Sequence, residues 1–374
     1  MRAHFYFDHN ATTPLAEEVL VAMSAALRDV CGNASSIHHY GQIARQRLEQ
    51  ARRQVAARIG AGPKEIVFLS GGTEADNLAL FGAASEGAHV ITTKIEHPAV
   101  LNPCTRMEQV TLVPPASDGT VDPDRIQAAL RPNTRLISVM HANNETGVIQ
   151  PIREIARIAH AQGALLHVDG VQAAGKISVN VDELGADLYS ISAHKLYAPK
   201  GIGALYVRQG VKLRAQIFGG HHERDRRAGT ENVPAAIGFG VAAQLPIHHD
   251  RMAEMRDRLE AGILARVPDV HVNGSRVNRL PNTTNLRFNG VEGEAMVIAL
   301  DLRGFAVSSG SACSSGTVEP SHVLLAMGLS AEEARSSVRF SLGESNTIEQ
   351  VDALIEAASE SVRHLRRVST YTHA

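Results

Sequence analysis

The sequence predicts an α/β protein with a large domain on a mostly parallel, seven-stranded sheet and a smaller α+β C-terminal domain. Three observations lead there. Between about residues 15 and 210, short β-branched runs alternate with helical patterns, the spacing of βαβ units. Those runs are apolar without alternation, as strands covered on both faces should be. After roughly residue 245 the texture changes to a charged helix, short strands and glycine-rich turns. A length of 374 residues favours two closely associated domains. The large one is drawn at 15–250 and the small one at 1–14 with 251–374.

Taken in order, an Arg/Gln/Ala-rich helix at 41–59 precedes the first strand. The strands are expected at 66–69, 90–93, 110–113, 136–140, 165–168, 188–191 and 204–207. Between them, 75–84, 98–107, 123–130 and 152–161 read as crossover helices, several opened by proline in the favoured first turn. The small domain holds helices at 251–267 and 347–367. No internal repeat, low-complexity tract or flexible linker interrupts the chain.

A hydrophobic fraction of 44%, 20% charged residues and a net charge of -2 describe a soluble globular protein and offer nucleic acid no basic surface. No apolar run is long enough to span a bilayer, and residues 1–14 are acidic and polar where a signal peptide needs an apolar segment, so a cytoplasmic protein is expected. Three widely separated cysteines exclude a disulfide framework. Cys104 falls in an expected helix and reads as a small core residue; Cys31 is expected to pack under the Gly32-Asn33 turn.

In an open parallel sheet, ligands bind beyond the carboxyl ends of the strands, and the residues there are unusually polar. Ser70-Gly71-Gly72-Thr73-Glu74 leaves a strand and opens a helix. It either offers free backbone N–H groups and a hydroxyl to an anion or forms an ordinary glycine turn with a threonine cap. His97 stands at the same rim, as a satisfied polar side chain or as an imidazole that stacks on an aromatic ring and moves protons. Asp169 ends an apolar strand, where a carboxylate needs a partner such as a protonated pyridine nitrogen. Lys195, in Ser192-Ala193-His194-Lys195, follows another strand. A lone lysine is usually a solvated surface residue, but beside a strand-end carboxylate, a phosphate-type turn and a rim histidine it completes the inventory of a Schiff-base site. Cys313, among small polar residues at 308–316, is suited to mobility and reactivity more than to core packing, a chance exposed thiol being the alternative. His221-His222-Glu223 lacks metal-site spacing, and no intrinsic metal is expected.

These segments, in this order, resemble the NifS/IscS-type cysteine desulfurases of the aminotransferase class V group, which have the type I pyridoxal-phosphate fold. The carriers are Phe7-Asp8-His9-Asn10-Ala11-Thr12-Thr13-Pro14, Ser70-Gly71-Gly72-Thr73-Glu74-Ala75-Asp76-Asn77, Glu96-His97, His141-Ala142-Asn143-Asn144-Glu145-Thr146-Gly147, Ser192-Ala193-His194-Lys195, Arg227-Ala228-Gly229-Thr230, the segment 308–320 and Arg339-Phe340-Ser341-Leu342-Gly343. They span nearly the whole chain.

The resemblance implies pyridoxal 5'-phosphate bound by Lys195 as a Schiff base, with Asp169 on the pyridinium nitrogen, Gln172 on the phenolic oxygen and His97 stacked on the ring. Gly72, Thr73, Ser192 and His194 would hold the phosphate, joined by Thr230 from the partner subunit of a homodimer. Asn33, Asn144 and Arg339 would bind the carboxylate of L-cysteine and its surroundings, the arginine through its bidentate fork. Cys313 would take the sulfur as a persulfide, leave L-alanine, and pass the sulfur to an acceptor or iron–sulfur scaffold protein, where it could transiently ligate a cluster. The segment around Cys313 is similar to that of the subgroup with a long mobile loop, and the tail favours a NifS-like member. Ala34, His221, His222 and Asp225 depart from the family pattern and put local loop geometry in question. A selenocysteine lyase, a class V aminotransferase and a non-catalytic sulfur-relay scaffold are the competing readings; a transaminase has no need of Cys313.

Overall fold

The computed structural model of the chain describes residues 4–309, 313–314 and 317–372, with backbone alone for 313–314, 317–318 and 369–372. Its centre is a seven-stranded sheet of β1 (Ile66–Leu69), β2 (His89–Thr93), β3 (Gln109–Val113), β4 (Thr134–Met140), β5 (Leu165–Asp169), β6 (Leu188–Ser192) and β7 (Gly203–Val207). Their order across the sheet is β1-β7-β6-β5-β4-β2-β3. All neighbours from β6 to β3 are parallel, whereas β7 runs antiparallel to both β6 and β1. Every residue of β1, β2, β6 and β7 is buried, which is why their sequences read as continuous apolar runs. Only the edge strand β3 is half exposed.

Helices cover both faces: α1 (Glu17–Asp29), α2 (His39–Arg58), α3 (Gly72–Ala83), α4 (Pro98–Cys104), α5 (Pro123–Ala128), α6 (Ile152–Ala161) and α7 (Val233–Ala243). Proline stands in the first turn of α4, α5 and α7, where its missing N–H costs no hydrogen bond. The largest core runs from Val19 on α1 through the sheet to Ala243, and Val323, Leu324, Met327 and Ala334 join it from beyond residue 251. A second core gathers Phe7, Met252 to Val267 of α8 (His249–Arg266), and Val351 to Val362 of the terminal helix Ile348–Thr372 around a small antiparallel sheet. That sheet orders Ser337–Ser341, Thr283–Phe288 and Val270–Val272. The short strand Phe5–Tyr6 pairs with Phe305–Ala306, so the chain begins in this second unit and then crosses to the large sheet.

Cys104 closes α4, buried in a small apolar cluster. Cys31 is exposed, contrary to the sequence expectation. The glycine beside it packs instead: a side chain at Gly32 would meet the Tyr40 carbonyl oxygen at 2.1 Å, so backbone lies against backbone and the cysteine is turned outward. Among the described residues no helix is long and apolar enough to cross a membrane.

Candidate functional site

The carboxyl ends of the strands open into a cavity of about 230 Å³. β5 delivers Asp169 to it, and Gln172 follows in the next turn; β6 delivers Ser192, and a 3-10 turn over Ala193–Lys195 places His194 and Lys195. From β1 the chain passes Ser70-Gly71 into α3, whose first residues Gly72 and Thr73 line the wall with Asp76 one turn further. His97, before α4, and Asn144, after β4, complete it. Nine residues singled out in the sequence therefore share one cavity although 123 positions separate Gly72 from Lys195.

No side chain caps the start of α3; Thr73 lies inside the helix, so its first-turn N–H groups face the cavity end without the threonine cap considered above. A side chain at Gly72 would meet Val171 Cγ2 at 2.8 Å, so glycine lets this helix end approach the turn after β5. His97 caps α4 through Nδ1, which accepts the Ala99 N–H at 3.1 Å. That bond leaves Nε2 as the protonated nitrogen, and burial lowers the ring's proton affinity, so the imidazole is neutral.

Asp169 accepts the Val171 N–H at 2.9 Å, and burial, reinforced by Asp76, lifts its carboxyl to about 7. Asp76 is lifted by burial to about 7 and Glu96 to about 8, and one oxygen of each has no hydrogen-bond partner among the described residues. Two buried carboxyl groups, Asp76 and Asp169, thus line the cavity, with Glu96 buried near them, and such a place draws a cation. Lys195 donates to the Ala11 carbonyl at 2.7 Å and to that of Asn10; burial and then Arg339 lower its amine to about 8, against the pull of Asp8 and Asp169. His194 bonds Thr12 Oγ1 at 3.1 Å, and burial lowers it to about 4.

Other expected positions lie apart. Arg339 does not line the cavity but adjoins it: it donates to the Asn144 carbonyl at 3.0 Å and forms an ion pair with Asp8 at 2.6 Å. Asn33 is exposed, its side-chain oxygen accepting the Ser35 N–H at 2.8 Å. Thr230 lines a neighbouring cavity with Ser70 and Gly229. Arg227, three residues earlier, pairs with Glu74 at 3.0 Å, linking that segment to the start of α3. The Cys313 side chain lies outside the described residues; backbone Cys313–Ser314 pairs antiparallel with Thr317–Val318.

Two of the departures prove to be one feature. His221 Nδ1 lies 2.5 Å from Asp225 Oδ1, a pair at the surface. Asp225 ends three successive left-handed residues, Glu223, Arg224 and Asp225, at φ 44°, 57° and 62°. The turn is imposed from below, where buried Glu223 receives Arg52 at 2.6 and 2.7 Å and the Phe68 N–H at 2.8 Å. Ala34 is buried in the main core, where a small side chain packs.

Three residues without a role in the sequence reading also belong here. Asp76 and Asn10 stood inside recognised segments with no task given. Lys176 was missed altogether, although a single charge in the apolar run Val171-Gln172-Ala173-Ala174-Gly175-Lys176-Ile177 was a signal of burial with partners. The cavity suits a phosphorylated pyridine aldehyde on its own chemistry: an amine of reduced proton affinity, a buried carboxyl that forms no ion pair among the described residues, and uncapped helix N–H groups with Ser192 and His194 nearby.

The aminotransferase class-V family model matches residues 5–354. A cysteine desulfurase IscS of Dictyoglomus turgidum is 48% identical over 384 residues, covering 99% of this chain and 98% of that protein. Among solved structures, a NifS-like protein superimposes with a TM-score of 0.90 at 34% identity, over 96% of this chain and all (100%) of the other. A structure described as SspA in complex with cysteine gives a TM-score of 0.82 at 37% identity, over 90% of this chain and 98% of that one.

Proposed function

The chain belongs to the aminotransferase class-V family and is a cysteine desulfurase, and from that premise we propose that it works with pyridoxal 5'-phosphate held by Lys195 and passes the sulfur of L-cysteine to Cys313. The bound cofactor supplies an electron sink for charge developing at the substrate α-carbon. Asp169 would hold the pyridine nitrogen protonated, its buried carboxyl gaining there a partner for its charge. His97, which lines the cavity, would pack against the cofactor ring through its imidazole. Gly72, Thr73, Ser192 and His194 bind the phosphate, the helix start adding its N–H groups and dipole. Thr230 of a partner subunit joins them.

Arg339 and Asn144 orient the substrate carboxylate, joined by Asn33. Lys195 takes the proton from the α-carbon, a task suited to an amine already lowered to about 8. Cys313 attacks the substrate sulfur as a thiolate; the S–S bond forms as the Cβ–S bond breaks, the released electron pair is protonated at Cβ, and Lys195 returns a proton to the α-carbon to give L-alanine. The persulfide then passes to an acceptor or iron–sulfur scaffold protein. We place the enzyme in the cytoplasm as a homodimer. Ile37, Tyr40 and Phe218, exposed at 92, 59 and 86%, support a dimer, since they flank the Ala34 and His221 regions that meet in one surface pocket.

The observation that carries the reading is the meeting of Lys195 and Asp169 in one strand-end cavity. Mass spectrometry of the cofactor-loaded protein after cysteine addition tests it. One added sulfur on Cys313 is expected; an unmodified Cys313 with sulfide still released would exclude it as the acceptor.

A further inference from the structure

Lys176 is a second buried amine beside the strand-end site, and it does not line the cavity. Its Nζ donates to Asn10 Oδ1 at 2.7 Å and to Gln172 Oε1. Gln172 in turn donates through Nε2 to the Asn10 carbonyl at 2.9 Å, and that carbonyl also accepts from Lys195 Nζ. The loop closes on three residues, Lys176, Gln172 and Asn10, with Lys195 attached to it, and Asn10 fastens it to other parts of the molecule. Its side chain donates to the Asn144 carbonyl at 3.1 Å and to Thr283 Oγ1 at 2.9 Å, and accepts from Asn282 at 3.2 Å.

A glutamine amide has one accepting end and one donating end, and its terminal torsion selects little between the two orientations without partners. Lys176 has only donors to offer the Gln172 oxygen. With that oxygen taken, the N–H₂ end is the one Gln172 can turn to a ligand. Burial, followed by the charges of Lys195 and Arg339, holds the proton affinity of Lys176 well below an ordinary lysine, and Asp8 opposes them. His9 and His194 also face it. Its N–H donors meet two acceptors, Asn10 Oδ1 and Gln172 Oε1, whichever protonation state it holds.

We propose that Lys176 is a positioning residue that locks the Gln172 carboxamide with its N–H₂ end toward the cavity and, through Asn10, sets where the Lys195 amine stands. The inference rests on the cofactor reading above and deepens it. Lys176 acts through hydrogen-bond geometry and forms no bond to a ligand, so its loss alters the properties of the site without emptying it.

The test is a pH titration of the visible absorption of the protein loaded with pyridoxal phosphate, run on wild type, Lys176→Met, Lys176→Gln, Gln172→Leu and the double variant Lys176→Met with Gln172→Leu. Lys176→Met should keep the visible band, because Lys195 is intact, and move its pH midpoint by about half a unit or more, the scale of losing one oriented hydrogen bond to an ionisable group. Lys176→Gln, still able to donate to the Gln172 oxygen, should restore part of the shift and covers the case in which the methionine variant misfolds. In the Gln172→Leu background the added Lys176→Met substitution should shift the midpoint less than it does alone, because only the route through Asn10 is left to lose. A wild-type midpoint in Lys176→Met, or an equal shift in both backgrounds, would overturn the inference while leaving the cofactor reading intact. Failure of the wild type to develop a visible band would overturn the cofactor reading and this inference with it.

Discussion

Lys195 and Cys313 stand in regions of opposite construction. The lysine emerges from β6 at the centre of a buried sheet, and two carbonyls from the N-terminal segment hold its amine. The segment bearing Cys313 is tied at its base. Ser308 exchanges backbone hydrogen bonds with Arg339 on one side; on the other Ser321 donates to buried Glu145 at 2.5 Å and His322 donates to the Glu96 carbonyl at 2.9 Å. Between those anchors, the described strand pair registers only with itself. Groups that must meet a bound ring to within a fraction of an ångström sit where the sheet positions them. On the proposed mechanism, the thiol that serves first a substrate and then an acceptor belongs to a segment secured at its ends.

The comparison breaks most sharply at the lysine. Lys195→Ala should abolish the visible band of the loaded protein and lower desulfurisation by ~10²–10⁴-fold, the scale of one positioned acid–base group; spectra and steady-state rates check both. At the other region, Ser321→Ala leaves the buried Glu145 carboxyl without its donor, which should cost ~1–3 kcal/mol in denaturant unfolding. It should slow sulfur release while leaving the visible band unchanged. A changed band would mean that the two regions are not separable.

Asp169 sharpens the first region through pH. In the cofactor-free protein its carboxyl holds a proton up to about 7, whereas an unfolded aspartate releases it near ~3.9. Between those values the native state binds more protons, so the contribution of Asp169 to stability falls as pH rises through the window and is flat above it. Asp169→Asn removes that loss. Unfolding measured without cofactor at pH 4 and pH 8 should give the variant an advantage over wild type about 1–3 kcal/mol larger at the higher pH. The smallest effect belongs to the surface turn. Asp225→Gly relieves a left-handed residue and loses the pair with His221, so stability should change by less than ~1 kcal/mol and the visible band not at all.

The large sheet and its strand-end rim were legible because they follow local rules: buried parallel strands read as apolar runs, and chemistry collects where they end. Lys195, Asp169 and His97 were found that way. The antiparallel course of β7 was not legible, since direction depends on the chain's path and not on the strand's residues. Helix α7 escaped notice because its run Val233-Pro234-Ala235-Ala236-Ile237-Gly238-Phe239-Gly240-Val241-Ala242-Ala243 has no polar face to mark a period. Asn10 and Lys176 were missed for another reason: their partners come from across the chain, Asn10 bonding Ser341 at a separation of 331 residues. Spacing cannot reveal a hydrogen-bond hub assembled from both ends of a sequence. The His221–Asp225 pair is local, and was hidden because the left-handed turn that brings the two side chains together is set by the buried Glu223 and its distant partners Arg52 and Phe68.

The division of labour between the two regions is tested most directly with Cys313→Ala loaded with pyridoxal phosphate and given L-cysteine. The variant should keep the wild-type visible absorption and its response to substrate while releasing no alanine or sulfide above background. Alanine and sulfide at the wild-type rate would contradict the account, because the sulfur would then leave without passing through Cys313.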